Sequence, residues 1–369
     1  MKKDKQIEKI PDEKLTELFN QADSTQEKLQ YFSKIQDYNI QMNLLESIPI
    51  NEKYKFIGKI KSTQGIAMAL NGLGDDKTKS KTFNYIAKQF KGNNEGILKI
   101  LTQIDFDVTI PPDMLTFKLN NINALSLDFL INLQKHVSNY SEMNFKINEH
   151  EGDSPDIKYS FNEISAIIAK IEELTADIPK DMDEANKFYK IYSRITNMMI
   201  YDHNCIKQVN LVTDMYMYGS GKLSHKEFKS LKKEYRKNPA GLYGGLIEGK
   251  AICAGYALIL HEASKYVGLN SQYVIGSNIF RGSGHAWNQV QIDGKWYNSD
   301  PTWDSEIVQI YGQYEYMLLN DEDFNKSHGE FSAGRTKTEH KCKSKFDYSK
   351  IQGLSLSQIK TTERSGYSL

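Results

Sequence analysis

Three short motifs bring a thiol, an imidazole and a carboxylate within about fifty residues of chain. Cys253 stands in Gly249-Lys250-Ala251-Ile252-Cys253-Ala254-Gly255-Tyr256. His285 stands in Gly284-His285-Ala286-Trp287-Asn288, and Asp300 in Trp296-Tyr297-Asn298-Ser299-Asp300-Pro301-Thr302-Trp303-Asp304. A thiolate nucleophile, an imidazole that takes and returns a proton, and a carboxylate that orients the imidazole are the parts of a cysteine-based acyl-transfer site. Each residue has a plainer reading when taken singly. Buried structural cysteines are common, and so are hydrogen-bonded structural histidines. The combination, with its local contexts, favours chemistry.

Those contexts suggest how each group is held. Gly245, Gly249 and their small neighbours make a tight loop that leads into a helix over 253–267, which Gly268 stops. Cys253 then sits at the helix N-terminus, where unpaired N–H groups and the positive end of the dipole favour thiolate. The same N–H groups suit an oxyanion on a substrate carbonyl. His285 and Asp300 fall on one β-hairpin. Residues 286–292 alternate apolar and polar, Asp293-Gly294 is a two-residue turn, and residues 295–300 return. With those turn residues, Ile292 faces Lys295, Trp287 faces Asp300 and His285 faces Thr302. His285, Trp287 and Asp300 then share one side of the sheet. The His285 and Asp300 Cβ atoms are expected under ~8 Å apart, within reach of an imidazole–carboxylate bond. A slip of one residue would move Asp300 to the other face. Pro301 ends the return strand just after the carboxylate. Trp287 and Trp303 are candidates either for cleft walls or for core aromatics.

The three motifs resemble the transglutaminase-like superfamily, a papain-related thiol fold with chain order Cys, His, Asp. Flanking features are similar to bacterial members: Ile200-Tyr201-Asp202 upstream, and Tyr314 to Glu322 downstream, ending near His328. The resemblance covers roughly 160–330. It implies Cys253 as nucleophile, His285 as general base then acid, and Asp300 as orienter. It leaves the second oxyanion donor open, with Tyr256 and Gln272 as substrate-cleft candidates. It implies a protein or peptide amide as substrate, through a thioester that meets water or an amine. Proteolysis, glutamine deamidation and cross-linking all run through that intermediate. The competing reading is a catalytically silent scaffold built on the same fold. His328 matches a flanking family position without a physical role. The stretch Tyr216 to Arg236 has no counterpart in the resemblance and suits an insertion over the cleft.

The rest of the chain fixes the setting. At 369 residues, two or more domains are expected. The 47 basic and 47 acidic side chains cancel, so no bulk field points to nucleic acid. The basic run Lys229 to Lys237 reads as a solvated helix face. The N-terminal residues carry no apolar signal stretch, and no apolar run reaches membrane-span length. Three cysteines, an odd and sparse count, suit a reducing compartment. A cytoplasmic location follows, with signal-less export as an effector left open.

No cofactor or metal is expected. HExxH and CxxC spacings are missing from the sequence, and the pairs Asp321/Asp323 and Asp304/Glu306 are too sparse for a calcium loop. The fold class is α+β: a transglutaminase-like domain at 156–345 after a helical domain at 1–150, with a polar tail at 346–369. Asn148 to Pro155 is the expected linker. Within 1–150, Tyr31 to Ile35, Phe56 to Ile60 and Tyr85 to Gln89 resemble one another at offsets of 25 and 29 residues. That pattern suits either a short α-solenoid that binds a protein partner or an irregular bundle.

Overall fold

Short capped helices build the N-terminal part of the chain. The computed structural model describes residues 10–90, 94–119, 122, 125–147, 157–218, 223–236, 239–280, 283–329 and 340–360. Two units divide it: Met1–Leu119 with Leu127–Phe145, and Asn120–Ser126 with Lys146–Leu369. The expected linker at 148–155 lies outside the described residues.

The first unit contains α1 (Asp12–Gln21), α2 (Thr25–Phe32), α3 (Tyr38–Glu46), α4 (Lys53–Ile57), α5 (Thr63–Asn71), α6 (Asp76–Gln89) and α7 (Asn94–Leu101). Strand β1 (Thr116–Leu119) and helix α8 (Leu127–His136) follow, and strand β2 (Asn144–Ile147) begins at the end of this unit. Ser24, Asp37, Ser62 and Asp75 each accept a backbone N–H of the helix they open, which satisfies donors the helix leaves over. Alternate helices touch: α2 with α4, α4 with α6, α3 with α5, α5 with α7. Phe32 and Phe56 meet edge-on at 5.4 Å, and Tyr54 meets Tyr85 at 4.7 Å. Phe117 and Phe145 stack across β1 and β2.

The second unit mixes helices and strands. Its elements are β3 (Tyr159–Ser160), α9 (Phe161–Thr175), α10 (Glu184–Met198), β4 (Ile200–Tyr201), α11 (His203–Tyr218), α12 (His225–Arg236), α13 (Leu242–Leu246) and β5 (Lys250–Ala251). Then come α14 (Cys253–Tyr266), β6 (Ser271–Asn278), β7 (Ser283–Ile292), β8 (Lys295–Ser299), α15 (Pro301–Tyr311), α16 (Asp321–Phe324) and β9 (His328–Gly329). The protein is therefore α+β, as the sequence leads one to expect.

The main sheet has the order β8-β7-β6-β9 and is antiparallel throughout. Helix α14 packs on β6 and β7 and against α9, α10, α13 and α15. Being enclosed on so many sides, it is buried from Ala254 to Ser264 and not along one stripe. That explains its run of Ala, Leu and Ile, a composition suited to burial on every face. The Asn288 side-chain amide donates to the Ala257 carbonyl at 2.8 Å and pins sheet to helix.

The hairpin register follows the turn. Asp293 and Gly294 have φ of 52° and 74°, the left-handed pair of a type I′ turn. Ile292 faces Lys295, and the pairing runs to Asn288 opposite Ser299. The segment set apart in sequence as a polar tail packs on this unit over its described residues 346–360. The Lys350 carbonyl and the Gln352 N–H both bond Asn186, and Tyr314 exchanges backbone bonds with Gln358 and Lys360. Among the described residues, no helix is long and apolar enough to cross a membrane.

Candidate active site

Cys253 is the first residue of α14, after Ile252, which caps the helix without a side-chain bond. A positive φ of 71° at Gly249 lets the chain turn into β5, a conformation glycine adopts without strain. Strand β5 pairs in parallel with β4 and ends one residue before that cap. Gly255 lies so close to the Pro239 carbonyl that an added Cβ would come within 2.3 Å of it. The loop and the first helical turn are thus pressed together, and the Cys253 side chain is left partly exposed.

His285 is 7% exposed and Asp300 fully buried. His285 Nε2 lies 2.7 Å from Asp300 Oδ2. That bond leaves Nδ1 for the Cys253 sulfur, which is in hydrogen-bonding reach of the ring. Burial alone would strip the imidazole of its proton. The Asp300 carboxylate, by charge and hydrogen bond, and the adjacent Cys253 outweigh it and raise the His285 pKa to about 10. Asp300 is pushed the other way. Burial opposes its charge, but His285 and His328 hold the carboxyl well below the usual range.

Pairing on β8 stops at Ser299, and the reason is Asp300 itself. Its Oδ1 accepts the Thr302 and Trp303 N–H groups at 2.9 and 3.3 Å, so it caps α15. Pro301 is the first residue of that helix, a position that suits its missing N–H. The expected strand pair of His285 with Thr302 does not form, because Thr302 is already helical. Asp300 still reaches the imidazole, since the carboxylate spans the strand end and the helix start.

The four cleft candidates are placed differently from the three motif residues. Trp287 and Trp303 are 4% and 2% exposed and belong to one apolar cluster with Val274, Ile307, Tyr316, Leu319 and Phe324. They are core aromatics, with Trp303 stacked on the His285 ring at 5.1 Å. Tyr256 is buried and bonds Ser305 Oγ at 3.0 Å, turned into the body of the unit. Gln272 lies opposite Gln289, whereas His285 lies opposite Gly276. Four residues of strand, roughly 13 Å, separate the two positions. The close fit at Gly276 matters more: an added Cβ would fall 2.2 Å from the Trp287 ring.

His328 is the group that sequence reasoning left without a role. It lies on β9 opposite Asn278 and is 1% exposed. Its Nε2 is 3.1 Å from the same Asp300 Oδ2 that receives His285. The downstream family position was the available signal, and it carries no geometry. His285, Asp300 and His328 each present one donor atom within 4.8 Å of the others, the closeness a metal site needs. Those atoms are engaged with one another instead, since both Nε2 atoms address one carboxylate oxygen. A cation would have to displace both bonds.

Within the segment 216–236, residues 216–218 end α11 and residues 225–236 form α12. These helices touch, with Tyr216 stacked on Phe228 at 4.4 Å. Cys205, Ile206 and Val209 at the root of α11 pack with Ile252 and Ala254, the two neighbours of Cys253. Lys226, Lys229 and Glu234 are exposed, as a solvated helix face requires.

Residues 207–301 match the family model of the transglutaminase-like superfamily. The chain therefore carries a transglutaminase-like domain. A solved structure described as "Crystal structure of a TGase" is 20% identical over 47% of this chain and 37% of that one, with a TM-score of 0.28. The chain thus spans little more than a third of that structure's length. A comparison with curated proteins finds no match.

Proposed function

We propose that the second unit is a cysteine-dependent acyl-transfer enzyme acting on protein or peptide amides. The observation that carries the reading is the buried His285–Asp300 bond of 2.7 Å beside a cysteine at a helix N-terminus. The transglutaminase-like match supports cysteine-based acyl transfer in general terms.

Cys253 is the nucleophile. Its thiolate, paired with the His285 imidazolium, attacks the amide carbonyl carbon, and the C=O π pair moves onto oxygen. Backbone N–H groups at the start of α14 face the developing oxyanion. The oxyanion collapses, the C–N bond breaks, and His285 gives its proton to the departing nitrogen. Water or an amine then attacks the thioester carbon, with neutral His285 taking its proton. Expulsion of Cys253 thiolate restores the ion pair. Asp300 holds the ring through Nε2, so Nδ1 faces the sulfur through both steps. Water gives an acid product, hence proteolysis or glutamine deamidation; an amine gives cross-linking. What reaches the thioester decides among them.

The N-terminal helix pairs read best as a stacked repeat that recruits a protein target. The pattern of alternate-helix contacts supports this, since repeat units bury their faces against neighbours.

The first test is the rate of iodoacetamide labelling at Cys253 against pH, compared with His285→Ala. Fast labelling with an apparent pKa well below ~8.5, slowed or shifted upward in the variant, supports an activated Cys–His pair. Labelling that titrates like a free thiol and ignores the variant would sink the reading and favour a silent scaffold.

A further inference from the structure

Asp300 serves more donors than its part in a triad requires. Oδ1 caps α15, and Oδ2 receives two imidazoles, at 2.7 and 3.1 Å. We infer that His328 is a positioning residue: a neutral second donor that holds the Asp300 carboxylate ionised and aimed at His285.

The surroundings dictate the state of His328. Its ring stacks on Phe324 at 3.8 Å and lies 4.3 Å from Trp303 and 5.2 Å from Trp287. Burial among these rings lowers its pKa to about 4, against the pull of Asp300, and the neighbouring His285 adds to the lowering. A neutral imidazole has one N–H. With Asp300 anionic, that N–H belongs at Nε2, where it donates to Oδ2. Nδ1 is then free to accept, and Ser327 Oγ lies 2.9 Å from it, with the Phe324 carbonyl 3.3 Å from the same hydroxyl. One buried carboxylate therefore meets one imidazolium and one neutral imidazole. A second positive charge would compete with His285 for the same oxygen; a neutral donor does not. Asp300 faces further groups on several elements: Asp304 on α15, Tyr192 on α10, Tyr256 on α14 and Tyr316. Among these, Asp304 has a raised pKa, to about 7, largely from burial. Phenols stay neutral across the pH range that matters.

The experiment compares His328→Leu with His328→Gln in the full chain. Leucine fills space without a donor, whereas glutamine restores an N–H near Nε2. The Nε2–H signal of His285 is followed by NMR at pH 7, where His328 is neutral, in chain carrying ¹⁵N-labelled histidine. Its exchange with solvent reports how firmly Asp300 holds the ring. A carboxylate that has lost one donor is held less firmly, so His328→Leu should speed that exchange on the order of tenfold, the worth of one lost charge-assisted bond. Glutamine should return most of the protection. Thermal melts identify a variant that has merely unfolded.

The consequence for labelling of Cys253 rests on the acyl-transfer reading. There, His328→Leu should slow alkylation at neutral pH on the order of tenfold, the worth of one lost charge-assisted bond. Equal exchange of the His285 Nε2–H in wild type and both folded variants overturns the positioning role, whatever the thiol does. Faster exchange in His328→Leu with an unreactive wild-type thiol upholds the positioning role and defeats the acyl-transfer reading instead.

Discussion

Two carboxylates one helical turn apart show how far environment governs a residue. Asp300 and Asp304 are both fully buried. Asp300 faces two imidazoles and is held ionised. Asp304 Oδ2 accepts the Tyr192 hydroxyl at 2.7 Å, and Oδ1 accepts the Glu315 and Tyr316 N–H groups. It meets no cation, so burial raises its pKa to about 7. Glu262 on α14 is a simpler case. It is 2% exposed, accepts the Ile122 N–H at 3.0 Å, and burial raises its pKa to about 7 from 4.5. Between those values the native state binds more protons than the unfolded state, so the contribution to stability falls as pH rises. It is fully present below about 4.5 and spent above about 7. Glu262→Gln should therefore gain stability relative to wild type across that window, by at most about 3.5 kcal/mol at ~1.4 kcal/mol per unit. Denaturant unfolding at pH 4.5 and pH 7.5 checks it; an equal difference at both would refute the assignment.

At the scale of elements, one hairpin and one close contact position the imidazole. The type I′ turn sets which residues of β7 and β8 face each other, and Gly276 lets the Trp287 ring lie against β6. A Cβ at Gly276 would also come 2.5 Å from the Gly329 carbonyl on β9. The indole has no room to withdraw, because Trp287 is packed in the core. Gly276→Ala should destabilise the unit by about 1–3 kcal/mol, the range for overpacking. It should also slow Cys253 labelling, since both neighbours of Gly276 support the site. A melt indistinguishable from wild type would show that the sheet yields more easily than this packing implies.

The whole molecule divides into two units, and the second gathers residues from a long span of chain. Ile122 contacts α14, and residues 346–360 pack over α10 and the 314–317 segment. Asn186 alone bonds Asp183, the Lys350 carbonyl and the Gln352 N–H. Truncation after Lys345 would leave buried Asn186 groups and the backbone of Tyr314 unpaired. Each such group costs on the order of 1–3 kcal/mol. A lowered Tm for the unit bearing Cys253 is the expected outcome, with weaker loss at the N-terminal helices. Hydrogen exchange resolved along the chain separates the two, and uniform protection in the truncated chain would count against the packing described.

Local rules make parts of this protein legible in its sequence alone. Asp293-Gly294 determines the β7–β8 register, because two left-handed residues admit one tight turn. The glycine-flanked loop before an apolar run determines that Cys253 opens a helix. Pro301 marks the end of β8. What sequence does not reach depends on contacts across the fold. Periodicity tells which face a side chain takes, not what stands opposite. Trp287 and Trp303 fit cleft or core equally well by position, and Phe324 and Tyr316 closing over them decide for the core. Asp300 is legible as a carboxylate beside a strand end, but not as the cap of α15. His328, twenty-eight residues further on, joins it only because β9 returns to pair with β6. Turns and caps are decided within a few residues, whereas a shared carboxylate oxygen is decided by tertiary packing.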